Sequence, residues 1–194
     1  MLFQEFNIHL QFKTKVMKKI AFVIVICLFS ASSVFSQNLK WEMDMDKFYK
    51  VPVGICTWED LTQAEFSGLL KEYSTDVTLN AKATVELAEV LESQPNTKYE
   101  IVNYFGAWNE ESLKQLPHFY AFVKTMEAKY QQPIEFKLIG CNREYNNGIN
   151  DFVPPTLPYY VIYRINNGER VIIGEILEQP KVSFEDDVLE IIKH

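Results

Sequence analysis

The apolar positions change period several times along the chain, and each change marks an element. In Leu61-Thr62-Gln63-Ala64-Glu65-Phe66 a threonine stands three residues ahead of a glutamate, with an apolar residue on either side. This predicts a helix from about Gln63 to Glu72, capped by Thr62 and stapled by Leu61 and Phe66. A second helix is expected from Asn80, with Ala81, Val85, Ala88 and Leu91 on one face and Pro95 shortly after its end. From Ile101 to Phe105 the pattern becomes a short apolar run closed by Gly106, the mark of a strand buried on both faces. Leu113, Leu116, Tyr120, Val123, Met126 and Tyr130 then recur every three or four residues, a helix that Pro117 is expected to kink. Strands follow over Ile134 to Gly140 and Tyr159 to Arg164, separated by a turn at Asn146-Asn147-Gly148. Asn166-Asn167-Gly168 is a hairpin turn into Arg170–Ile176, and Ser183 with Asp186 opens a last helix through Ile192. From Ile101 the order is strand, helix, strand, strand, strand, helix, and no internal repeat is visible.

The N-terminal stretch follows another logic. Met17-Lys18-Lys19 precedes ten apolar residues, Ile20 to Phe29, and then the small residues Ser30-Ala31-Ser32-Ser33. That is the order of a secretory signal peptide. Ten apolar residues are about half of the roughly 20 that a membrane-spanning helix needs. Cleavage after Ser36 is expected, with Val34 at the −3 position and translation from Met17 giving a more ordinary leader. Cys27 lies inside the apolar run after Ile26, a poor place for lipidation. The reading is of an exported protein, periplasmic or extracellular, with no integral membrane segment after processing.

Removing residues 1–36 leaves 158 residues with 15 basic and 25 acidic side chains, a formal charge of −10. A nucleic-acid partner is disfavoured by that sign. A chain of this length buries enough surface to fold without a disulfide framework. Cys56 and Cys141 remain; they are possible thiols whose spacing carries no signature, so a pair and two buried thiols both stay open.

Between the first buried strand and the helix containing Pro117 stands Phe105-Gly106-Ala107-Trp108-Asn109-Glu110-Glu111-Ser112. This segment resembles the active site of the thioredoxin family, in which an aromatic strand end and a Trp-Cys-x-x-Cys run open a helix. On that register Asn109 takes the place of the nucleophilic cysteine and Ser112 that of the resolving one. Pro117 falls where the family has its helix proline, and Pro158, preceded by Leu157 and followed by an apolar strand, matches the cis-proline. Pro154 and Pro155 compete for that role, but neither directly abuts a strand. The resemblance covers residues 99–194 and implies an α/β thioredoxin-like fold, a central mixed sheet flanked by helices. Residues 37–98 are then expected as a helical N-terminal extension.

The family's exchange reaction begins with a thiolate at a helix N-terminus attacking a disulfide sulfur. Asn109 has no ionisable nucleophile, and the hydroxyl of Ser112 forms no sulfur–sulfur bond. Glu110 and Glu111 suit the positive end of a helix dipole and need no catalytic role; as adjacent helical residues they point apart, which argues against a paired-carboxylate hydrolase. His9, His118 and His194 are scattered, so no metal site is expected, and no phosphate loop or other cofactor motif is present. No catalytic residue is assigned. The expected function is binding an extended polypeptide or envelope protein in a groove beside Trp108, Asn109, Leu157 and Pro158. The alternatives are thiol–disulfide chemistry through Cys56 or Cys141, and a structural role in an envelope assembly.

Overall fold

Seven of the eight residues of the strand Lys98–Phe105 are buried, and this strand organises the molecule. In the computed structural model, which describes residues 39–194 apart from 63, 74–76 and 131–133, it lies inside a six-stranded mixed sheet. The strands are β1 (Lys40–Asp44), β2 (Tyr49–Cys56), β3 (Lys98–Phe105), β4 (Ile134–Gly140), β5 (Tyr159–Asn166) and β6 (Glu169–Leu177). Their order across the sheet is β1-β2-β4-β3-β5-β6. Only β3 and β4 run parallel; every other neighbouring pair is antiparallel. The helices are α1 (Trp58–Leu61), α2 (Ala64–Tyr73), α3 (Ala81–Glu92), α4 (Glu110–Thr125) and α5 (Phe184–Lys193). Helix α4 makes the crossover between the two parallel strands and relaxes at its end into a π-helical segment, Met126–Tyr130. The protein is thus α/β, with helices packed on a mixed sheet.

Alternation along β3 divides the interior in two. Tyr99, Ile101 and Phe105 face a cluster that holds the buried side chains of the helices, among them Leu61, Leu87, Leu91, Leu116, Phe122, Val188 and Ile192. Phe119 of α4 is its hub, with ring centroids 5.5 Å from both Tyr160 and Phe184 and 6.0 Å from Phe136. Each such aromatic pair adds about 0.5–1.5 kcal/mol to the burial itself. Val102 and Tyr104 face the opposite side, where Ile139, Cys141, Leu157 and Val161 are covered by Tyr145 and Ile149 of the loop between β4 and β5 rather than by a helix.

The β5–β6 hairpin closes through Asn167 and Gly168, both with positive φ (51° and 84°), the conformation that a two-residue turn of the I′ type requires. Ser183 caps α5 by accepting from the Asp186 amide over 3.1 Å. Asn80 caps α3 likewise, its Oδ1 accepting from the Ala83 amide over 3.2 Å.

Several expectations need correction. The segment 37–98 is not simply helical: β1 and β2 belong to the sheet, β2 pairing with β4 through Gly54, Ile55 and Cys56. Residues 38–194 form one unit, with no break near 98. Thr62 is the C-cap of α1, its hydroxyl donating to the Glu59 carbonyl over 2.9 Å, while its expected capping of α2 rests on residue 63 and falls outside the described residues. Helix α1, which precedes the expected one, is capped by Thr57 in a capping box with Asp60. The buried face of α3 is Ala83, Thr84, Leu87, Ala88 and Leu91, while Val85 is exposed. Tyr120 is exposed too, and Phe119 and Phe122 take the core positions. The leader, its cleavage after Ser36 and the Phe66 staple lie outside the described residues and side chains.

Candidate functional site

The sequence of elements brings Trp108, Asn109, Ser112, Leu157 and Pro158 to one end of the sheet, where β3 stops and α4 begins. Phe105 ends β3, and its carbonyl accepts from the Cys141 amide over 2.8 Å, which ties the ends of the two parallel strands together. Gly106 follows in a space that admits no side chain: a Cβ there would lie 2.9 Å from Trp108 Cε2 and 3.2 Å from Leu157 Cδ1. Asn109 is the N-cap of α4, its Oδ1 accepting from the Ser112 amide over 2.8 Å. The Asn109 Nδ2 donates to none of the described residues. Ser112 is fully buried, and its Oγ accepts from the Gly106 amide over 3.2 Å. A helix start is built from this pair: an amide holding the first turn and a hydroxyl holding the preceding loop.

Trp108 packs against both interior clusters. Its Nε1 donates to the Cys141 carbonyl over 3.1 Å. Tyr145 meets its ring edge-on at 6.0 Å, and the Arg143 guanidinium lies 5.2 Å from the ring centre. The loop beneath is held by the Tyr49 hydroxyl, which donates to the Ala107 carbonyl over 2.8 Å. Sequence reading did not single out Tyr49, Asp44 or Tyr145, because they reach this loop from far along the chain: Tyr145 against the Trp108 ring, Tyr49 on the Ala107 carbonyl and Asp44 through Arg143.

Leu157 and Pro158 are joined by a cis peptide bond. Both are buried, Leu157 to 2% exposure, so Leu157 does not line an open groove with its side chain. The Pro158 carbonyl is taken by the Glu178 amide at 2.9 Å.

Glu110 and Glu111 have surface partners. Lys114 Nζ lies 2.8 Å from the Glu110 carboxylate and holds its pKa below the ordinary value. Glu111 accepts from the Gln115 side chain over 2.9 Å. Cys56 and Cys141 are free and buried. Burial pushes both thiols up, Cys141 to about 12, and the Asp60 charge adds to the effect at Cys56. His118 reaches the buried Glu185 over 2.9 Å, far from His194. No cluster of three or more metal-ligating side chains is found among the described residues, and no helix among them is long and apolar enough to cross a membrane.

Chemically, the end of the sheet offers hydrogen bonding from the Asn109 amide and aromatic surface from Trp108, while the Cys141 thiol beside it is buried. No family model and no curated protein matches the chain. Among solved structures it is similar to the crystal structure of a protein of unknown function from Pseudomonas aeruginosa, at 14% identity over 66% of this chain and 79% of that one. The TM-score is 0.38, too low to carry an inference about fold or function.

Proposed function

We propose that this protein is an exported, thioredoxin-like binding module that has no dithiol chemistry. The observation that carries the reading is the start of α4: Asn109 and Ser112, the positions that match the family's two cysteines, are joined within one turn by the 2.8 Å bond from the Ser112 amide to Asn109 Oδ1. Further support comes from the order of β3, α4, β4, β5, β6 and α5, and from the cis Leu157–Pro158 bond at the same end of the sheet. An amide in place of a thiolate holds a polypeptide through reversible hydrogen bonds only. Burial of Cys56 and Cys141, with their thiols pushed up, argues against the alternative of thiol catalysis through either one.

The test is to install the missing dithiol. Asn109→Cys with Ser112→Cys is expected to form an intramolecular disulfide without loss of fold, whereas the unsubstituted protein is expected not to accelerate reduction of a model disulfide by dithiothreitol. A folded double variant that resists oxidation overturns the register. Acceleration by the unsubstituted protein, abolished by Cys56→Ser or Cys141→Ser, moves the function to thiol chemistry.

A further inference from the structure

Asn-Gly occurs twice in the chain, at Asn147-Gly148 and Asn167-Gly168. The dipeptide is open to a reaction with itself, because glycine has no side chain to keep its peptide nitrogen away from the preceding asparagine Cγ. That nitrogen gives its proton to solvent base and bonds to Cγ, closing a cyclic imide, and the side-chain nitrogen leaves as ammonia. Water then opens the imide at one carbonyl or the other, leaving aspartate or isoaspartate. Water is the only other reactant. Local structure therefore decides which copy reacts, and the fold treats the two oppositely.

Asn147 has no exposed surface. Its Nδ2, the leaving group, donates to Asn150 Oδ1 over 3.1 Å and to the Phe152 carbonyl over 2.6 Å. Its Oδ1 accepts from the amides of Ile149 and Asn150 over 2.8 and 3.1 Å. The nucleophile is held as well, since the Gly148 amide donates to Asn146 Oδ1 over 2.7 Å. Asn167 stands exposed at the tip of the β5–β6 hairpin. Neither its side chain nor the Gly168 amide bonds to any described residue. A Cβ built at Gly168 would meet nothing within 4 Å, so the space over the turn is open. Strand β6 is the outermost of the sheet, and fraying of its tip is enough to swing Asn167 into reach of the glycine nitrogen.

We propose that Asn167 is a site of spontaneous deamidation in the folded protein and that the hydrogen bonds around Asn147 shield it from the same reaction. Isoaspartate adds a backbone carbon to a two-residue turn whose φ angles of 51° and 84° fit only the ordinary chain length. The new carboxylate also arises beside Glu169, which pairs with Asn166 across the hairpin. Next along β6 is Arg170, which donates to the buried Glu100 and covers the Tyr163 ring, so a loosened turn slackens that grip.

The test ages the full chain, folded, in mildly alkaline buffer and measures asparagine, aspartate and isoaspartate at both positions by mass spectrometry of its peptides. Asn167 is expected to convert, and Asn147 to convert at least about tenfold more slowly, because it waits for the loop to open. In urea the two are expected to convert at similar rates. The urea midpoint of the aged protein is expected to fall as isoaspartate accumulates, whereas aged Asn167→Gly, which keeps a residue suited to positive φ, holds its midpoint. Asn167 remaining an amide in the folded protein while both positions convert in urea, Asn147 converting as fast as Asn167 in the folded protein, or an equal loss of stability in aged Asn167→Gly would each overturn the proposal.

Discussion

Arg143 grips Asp44 with two hydrogen bonds, Nε at 2.7 Å and Nη2 at 3.1 Å, and so ties the β1–β2 turn to the loop after β4 across 99 positions of sequence. The carboxylate is buried, and its pKa is held below the ordinary value because the hydrogen bonds from Arg143 and from the Asp46 and Lys47 amides outweigh the burial that would raise it. Arg143→Ala leaves that carboxylate with the two amides alone. Fully buried pairs lose about 3–5 kcal/mol when broken. The Arg143 side chain is 40% exposed, so water screens the loss, and about 1–2 kcal/mol is expected in urea unfolding. Tryptophan fluorescence should change too, because the same guanidinium covers Trp108.

Acid should destabilise the fold through Glu100 and Glu185. Burial works to raise both carboxyl pKa values, but hydrogen bonds from Lys137 and Arg170 to Glu100, and from His118 to Glu185, hold them below the ordinary 4.5. A carboxyl lowered in the folded state contributes stability above its unfolded pKa and loses it as pH falls through the folded value. Stability is therefore expected to hold down to about pH 5 and to decline progressively below about 4.5. Glu100→Gln should be less stable at pH 7 and decline less steeply, as read from urea midpoints across the acid range.

Asn103 lies at the centre of β3 with no exposed surface, and neither its Nδ2 nor its Oδ1 has a partner among the described residues. A buried amide without partners costs about 1–3 kcal/mol. Asn103→Val, which suits a strand, is expected to stabilise the protein by about 1 kcal/mol in chemical denaturation. A loss of stability would show that the amide is paired with a buried water.

The two buried thiols should be inert in the folded state. In a Cys27→Ser background, Cys56 and Cys141 are expected to react with an aromatic disulfide reagent at pH 8 at least about a hundredfold more slowly than in urea, since attack requires both exposure and the thiolate. Rapid reaction of either thiol in the native protein would reopen thiol chemistry as its function.

Much of the architecture follows from short stretches of sequence, because helix caps, strand burial and tight turns are local events. The apolar run at Ile101, the Asn167-Gly168 turn and the Ser183 cap each specify an element through neighbours a few residues away. Asn109 at the head of α4 follows the same local rule, which the structure brought out, its side chain satisfying the amide of Ser112 three residues on. Local signals can also be overlooked: Thr57 precedes Asp60 by three positions and forms the capping box of α1. They also fail where the stabilising partner is distant in sequence. Strand β1 reads as polar, and β2 contains Pro52 and Gly54, yet both become strands by pairing with each other and through β2 with β4. Burial of Leu157 and of the two thiols, and the grip of Arg143 on Asp44, are likewise settled only when the chain closes. The sequence by itself determined which residues cap, turn and alternate; the tertiary structure alone decided which of them were withdrawn from water and which, like Phe48, were left in it, because desolvation depends on neighbours brought together from far along the chain.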